Sequence, residues 1–100
     1  MIVDRKKNVK TSQVLADAIV LLLFQGKEKD ASTIAEELSK ISPMLSLGNA
    51  KTICWAATHR LRGSGFIEEV KSSGRRKLFQ LTDLGEKEVT EITEVLRKIL

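Results

Sequence analysis

The segment from Leu61 to Gly85 most constrains what this 100-residue chain can fold into. Two short runs of strand-forming residues, Phe66 to Lys71 and Lys77 to Leu81, flank a Ser-Ser-Gly turn followed by two arginines, which is the pattern of a β-hairpin. The tip of this hairpin is charged rather than apolar. Because guanidinium and ammonium groups match phosphate oxygens, we expect the tip to contact phosphates. The residues concerned are Lys71, Arg75, Arg76 and Lys77.

Helical periodicity predicts a helix-turn-helix in front of the hairpin. Asp30 or Ser32 can cap a helix whose apolar residues recur every three or four positions, and a Ser-Pro pair ends it. A further helix runs from Ser46 or Leu47 to Arg62, so a short turn joins the two. The predicted fold is therefore mainly α with a small β-hairpin.

The helix before this pair, from Thr11 or Ser12 to about Gln25, is apolar nearly all round. A helix of this kind needs an apolar cover on two sides, and one cover is assigned to a second copy of the chain. The regularly spaced apolar set is Val14, Leu15, Ala18, Ile19, Leu22 and Leu23. The residues that widen the stripe are Val20, Leu21 and Phe24.

The last helix, residues 83–100, begins after Thr82, which can cap it. Its apolar residues alternate in steps of three and four, the spacing of a coiled coil, over about two heptads. Five acidic and three basic residues surround this seam. We therefore expect a homodimer in which the first and last helices form much of the interface. The predicted interface residues are Leu21, Phe24, Val89, Ile92, Val95, Leu96 and Ile99.

A helical wheel divides the third helix into two faces. One face is apolar and belongs to the core: Ala50, Ile53, Cys54, Ala57 and Leu61. The other carries the mixture of donors, acceptors and an aromatic ring that reaches base edges in a major groove: Lys51, Thr52, Trp55, His59 and Arg62. Ser46 and Asn49 can add contacts at the start of the helix, since helix N-termini attract anions. Trp55 is equally open to packing against the N-terminal arm or a partner subunit.

From about residue 11 to residue 100, the order helix, helix, helix, hairpin, helix resembles the winged helix-turn-helix regulators of the MarR and PadR families and related small archaeal transcriptional regulators. The motif residues are L-R-G-S-G-F-I at 61–67 and F-Q-L-T-D-L-G at 79–85. In those families, a leucine and a glycine lead into the first strand of the wing, and an aromatic-x-Leu-Thr-x-x-Gly segment leads into the last helix. The resemblance implies a winged fold, binding to double-stranded DNA and no catalysis.

Composition agrees with a basic DNA-binding chain and offers little for catalysis. The net charge is +4 and the isoelectric point near 9.4, with the basic excess outside the last helix. One cysteine and one histidine leave no zinc cluster, and neither a phosphate-binding loop nor a nucleophile with its base is recognisable, so no metal, cofactor or enzyme activity is expected. Residues 1–10 form a basic arm without an apolar leader, which favours a cytoplasmic protein without a membrane segment. The arm residues assigned to DNA are Arg5, Lys6 and Lys7.

The prediction is thus a single domain, residues 1–100, that binds specific double-stranded DNA as a homodimer and regulates transcription. Two alternatives use the same fold. One is a protein-interaction module of a larger assembly, which burial of Trp55 against a partner protein would favour. The other is a chromatin-type protein that coats DNA without sequence preference, and the ratio of specific to non-specific affinity separates it from a regulator.

Overall fold

The computed structural model describes residues 11–26, 28–73 and 76–100, without the side chains of residues 11, 12, 71–73 and 76. Four helices and one hairpin follow each other in the predicted order, which confirms the fold class. The elements are α1 (Thr11–Leu23), α2 (Ala31–Ile41), α3 (Leu47–Gly63), β1 (Ile67–Ser73), β2 (Arg76–Leu81) and α4 (Asp83–Ile99). In the part of the chain that the structure describes, none of these helices combines the length and the apolar character that a membrane span requires.

Side-chain caps fix the starts of three helices where the sequence predicts them. The Asp30 carboxylate accepts a hydrogen bond from the Thr33 amide at 2.9 Å, so Asp30 rather than Ser32 caps α2. The Thr82 hydroxyl accepts from the Gly85 amide at 3.0 Å and caps α4. Ser46 accepts from the Asn49 amide at 3.1 Å and caps α3. Each cap satisfies a backbone donor that the first turn of a helix leaves unpaired.

The strands β1 and β2 form an antiparallel hairpin, the wing, in which Ile67 faces Leu81 and Glu69 faces Phe79. An irregularity between Glu69 and Lys71 shifts the register once. A single residue of the α1–α2 connection joins the other edge of β2. Lys29 donates its amide to the Phe79 carbonyl at 3.0 Å, and Phe79 donates to the Lys29 carbonyl at 2.8 Å. The wing is thereby attached to the start of α2.

The core lies where α1, α2 and α3 meet the base of the wing. Its largest fully buried side chains include Phe24, Phe66, Leu21 and Ile34. The interface prediction for α1 is therefore wrong at Leu21 and Phe24, which are 0% and 1% exposed inside the single chain. The helix exposes Leu15 and Ile19 instead. Both lie about half a turn of the wheel from Leu21 and Phe24, so α1 needs two covers but presents the opposite face.

The prediction for α4 holds only for the second half of the helix. Val89 and Ile92 pack into the core and are 4% and 8% exposed, so these two are also not free to form an interface. Val95, Leu96 and Ile99 extend beyond the core and are exposed. The apolar seam of α4 is therefore buried in the first half of the helix and exposed in the second half.

Candidate nucleic-acid interface

The face of α3 that the sequence assigns to DNA is solvent-exposed over its whole length. Lys51, Thr52, Trp55, His59 and Arg62 are all exposed, and Trp55 retains 67% of its surface. The opposite face supplies the core through Ala50, Cys54, Ala57 and Leu61, as predicted. Asn49 and the capping Ser46 lie exposed at the start of the helix. The hydroxyl of Ser46 keeps its proton available for donation while its oxygen accepts the capping bond.

One stripe of α3 turns towards the wing. Lys51, Trp55, Thr58 and Arg62 follow each other at intervals of four, three and four, which aligns them along the helix. The last three border a cleft of about 360 Å³ between α3, the start of α2 and β2. Lys77 and Phe79 border the cleft from the wing. The helix and the wing therefore form two walls of one groove with cations on both sides.

Arg62 is held in this groove by two interactions. Its guanidinium lies 5.9 Å from the centre of the Phe79 ring, within reach of a cation–π interaction. Its Nη2 lies 3.5 Å from a carboxylate oxygen of Glu69 on β1. The side chain remains 52% exposed, so both contacts orient the cation without removing it from solvent. The guanidinium of Arg62 is therefore accessible to a polyanion that enters the groove.

Arg60, which the sequence reasoning did not single out, is neutralised by a residue of α1. Its Nε donates to both oxygens of Asp17 at 3.0 Å, and its Nη2 donates to Oδ1 at 2.7 Å. The Asp17 side chain is only 4% exposed. This contact between the Arg60 guanidinium and both oxygens of Asp17, called the fork below, neutralises the charge of Arg60 within the protein. The cations of the outer face of α3 are therefore Lys51 and Arg62. A pairing across 43 residues leaves no local signal in the sequence.

Cys54 belongs to the core beneath this face and not to its chemistry. The side chain is 0% exposed, and burial raises the pKa of its thiol to about 11. A thiol with a raised pKa is a poor nucleophile at neutral pH. The sequence interpretation of Cys54 as a small buried hydrophobe is confirmed.

The remaining predicted contacts divide into described and undescribed residues. Lys77, which the sequence assigns to the hairpin tip, is exposed and borders the groove. Arg5, Lys6, Lys7 and Arg75 lie outside the described residues, as do the side chains of Lys71 and Arg76. Sequence reasoning missed that the start of α2, at Asp30 and Ser32, borders the same groove. The capping pattern predicts the start of α2, but its position beside α3 depends on tertiary packing.

No protein-family model matches the sequence, and no curated protein matches it significantly. Solved structures do match the fold. A PadR family transcription regulator from Clostridium difficile is 22% identical, with a TM-score of 0.70, over 84% of this chain and 88% of that one. A PadR-like transcriptional regulator from Bacillus cereus is 16% identical, with a TM-score of 0.70, over 87% and 85% of the two chains.

A transcriptional regulator from Clostridium thermocellum is 22% identical, with a TM-score of 0.66, over 91% of this chain and 94% of that one. At these identities the comparison establishes the architecture. The chain has a winged helix-turn-helix fold like that of the PadR family and PadR-like regulators, and the resemblance stated from the sequence is confirmed at that level.

Proposed function

We propose that this protein is a sequence-specific regulator of transcription that binds double-stranded DNA as a homodimer. The observation that carries the proposal is the continuous surface formed by the exposed face of α3 and the cationic groove beside it. In this arrangement α3 lies in the major groove, where Thr52, His59 and Asn49 reach base edges. Arg62 and Lys77 hold the phosphate backbone between the helix and the wing.

The tip of the wing and the N-terminal arm are proposed to contribute further to phosphate binding. Their basic residues, Lys71, Arg75 and Arg76 in the wing segment and Arg5, Lys6 and Lys7 in the N-terminal segment, are proposed to add phosphate contacts. Contacts of this type carry affinity rather than sequence preference. The choice of sequence therefore falls to the residues of α3.

The homodimer is proposed from the exposed apolar residues of α1 and α4. Within the single chain, Leu15 and Ile19 on α1 and Val95, Leu96 and Ile99 on α4 are 39–73% exposed. Apolar side chains concentrated on two helices that pack against each other favour a protein–protein contact. A two-fold dimer places two copies of α3 on half-sites about one turn, ~34 Å, apart.

Selection of bound duplexes from a random pool tests this function. An enriched palindrome is the expected result, followed by a fall of affinity with salt when the selected duplex is titrated at two salt concentrations. Replacing one phosphate-binding cation, Lys77→Gln, should reduce the logarithmic salt slope by about 0.9. The matched control is Lys87→Gln, because Lys87 is also an exposed cation but lies on α4 and does not border the groove.

A protein-interaction module is the second candidate, because the exposed ring of Trp55 is available to a protein partner as well as to DNA. A large aromatic ring that is 67% exposed is typical of binding surfaces of either kind. Trp55 is the only tryptophan of the chain, so its fluorescence reports directly on this position. Emission that changes with added duplex supports the DNA reading. An absence of salt-sensitive binding to any duplex would favour a protein partner.

A further inference from the structure

The fork between Asp17 and Arg60 joins the two parts of the molecule on which dimeric DNA binding depends. Asp17 lies on the inner side of α1, whose outer side exposes Leu15 and Ile19. Arg60 lies in the last turns of α3, on the edge between its core face and its exposed face. A single helix thus carries the proposed dimer face on one side and the attachment of α3 on the other.

The buried face of α3 has few large side chains that could interlock with a neighbouring helix. The buried face of α3 consists largely of small side chains, with Ala50, Cys54 and Ala57 all 0% exposed. Small residues form shallow ridges, and shallow ridges restrict the sliding and rotation of packed helices less than large interlocking ones. A polar contact of defined geometry between α1 and α3 would therefore add an orientational restraint to this packing.

The geometry of the fork supplies this restraint. Three hydrogen bonds of 2.7–3.0 Å join the planar guanidinium to one carboxylate, and this two-point contact fixes orientation as well as distance. Taking the almost fully buried carboxylate of Asp17 out of water is unfavourable, so such a pair contributes less to net stability than its short distances suggest. Its contribution is a defined arrangement of the two helices.

We propose that Asp17 and Arg60 are positioning residues that set the angle between α3 and the dimer face of α1, and thereby the spacing of half-sites that the dimer accepts. This inference rests on the proposed function. A change of one base pair between half-sites rotates them by about 34° relative to each other. A rigid dimer therefore discriminates between spacings, whereas a dimer with loosely held copies of α3 tolerates several.

The test measures affinity for the selected palindrome with its spacer lengthened or shortened by one and two base pairs. The wild-type protein should lose about tenfold in affinity for one base pair of change. Arg60→Lys keeps the charge and the ion pair but removes the fork, and should reduce this loss to less than about threefold with little change in thermal stability. The matched control is Glu37→Gln, which breaks the ion pair between Lys29 and Glu37 (2.9 Å) and leaves Asp17 and Arg60 unchanged. It should keep the wild-type spacing profile.

A second variant separates positioning from burial. Asp17→Leu combined with Arg60→Met fills the site with apolar side chains of similar length and preserves folding without the fork. A stable dimer with a broadened spacing profile supports the proposal. A wild-type profile in this double variant or in Arg60→Lys overturns it while leaving the regulator function intact. Absence of any spacing optimum in the wild-type protein overturns the dimeric function, and the inference with it.

Discussion

The hydroxyl of Thr82 donates a hydrogen bond of 2.6 Å to the carbonyl of Gly65, which ties the exit of the wing to its entrance. The same hydroxyl accepts from the Gly85 amide, and the Thr82 amide donates to the Phe66 carbonyl at 3.0 Å. Gly65 has a φ of +83°, a left-handed conformation that lets the chain turn directly from α3 into β1. One threonine therefore joins α3, the wing and α4, and this explains the Leu-Thr-x-x-Gly segment physically.

Thr82→Val should destabilise the protein by about 2 kcal/mol, because it removes a helix cap and a bond to the Gly65 carbonyl while nearly preserving shape. Thr82→Ser keeps the hydroxyl and should cost less than about 1 kcal/mol. Urea denaturation followed by circular dichroism measures both. Equal destabilisation by the two variants would mean that the methyl group, and not the hydroxyl, holds this junction together.

Gly85→Ala should destabilise the protein severely, by about 3 kcal/mol or more. A Cβ at residue 85 would collide with the backbone carbonyl of Phe66, which cannot move without separating the wing from α4. The control is Gly63→Ala, where nothing lies within 4 Å of an added Cβ. Thermal unfolding should show a large loss for the first variant and a change of less than about 1 kcal/mol for the second. Similar melting temperatures for both would contradict the close contact at residue 85.

Local signals in the sequence predicted the elements and the caps of α2 and α4, since Asp30 and Thr82 accept hydrogen bonds from amides three residues ahead of them. The face of α1 could not be predicted in the same way. With apolar residues nearly all round, periodicity does not distinguish the side of Leu21 from the side of Leu15. Only packing against α3 and the wing decides it.

The contacts that organise the candidate site escaped prediction for a related reason. Lys29 pairs with β2 as a single-residue bridge, which is too short to produce a strand pattern in the sequence. Its ammonium group donates to the Leu23 carbonyl at 2.8 Å and to the Glu37 carboxylate. Asp17 and Arg60 are polar residues on helices whose periodicity is read from apolar ones. By contrast, the exposed face of α3 was predictable. Small and apolar residues at helical spacing identify the buried face, and the exposed face lies on the opposite side of the helix.

Glu69→Gln should strengthen DNA binding by about threefold, because it removes a carboxylate 3.5 Å from the guanidinium of Arg62 in the proposed phosphate groove. Arg62→Gln should weaken binding and reduce the logarithmic salt slope by about 0.9. Fluorescence anisotropy with a labelled duplex measures both. Glu94→Gln, an exposed carboxylate of α4, controls for the change in net charge. Equal gains from Glu69→Gln and Glu94→Gln would place Arg62 away from the phosphates.

Because the thiol of Cys54 is buried, we expect the free energy of unfolding to decrease in alkaline solution. The folded-state pKa of its thiol is raised from 9.0 to about 11, so the unfolded chain releases this proton at lower pH than the folded chain. The contribution of the Cys54 thiol to the free energy of unfolding is fully present below pH 9. It is lost as the pH rises towards 11, by on the order of 3 kcal/mol in total. Urea denaturation at pH 8 and pH 11 should show a smaller decrease for Cys54→Ala than for the wild type. An identical decrease would mean that lysine titration alone accounts for the alkaline loss.

Ile19→Glu should dissociate the proposed dimer without unfolding the chain. Ile19 is 42% exposed on the outer face of α1, so a glutamate there remains hydrated in the monomer but would be buried without a partner in a dimer. Light scattering should show a monomer at concentrations at which the wild type is dimeric, with an unchanged circular dichroism spectrum. Met44→Glu is the control, because Met44 is 99% exposed at the turn between α2 and α3, on neither proposed interface helix. If Ile19→Glu stays dimeric, the interface is left to the exposed end of α4, and Leu96→Glu then decides whether that end alone holds the two copies together.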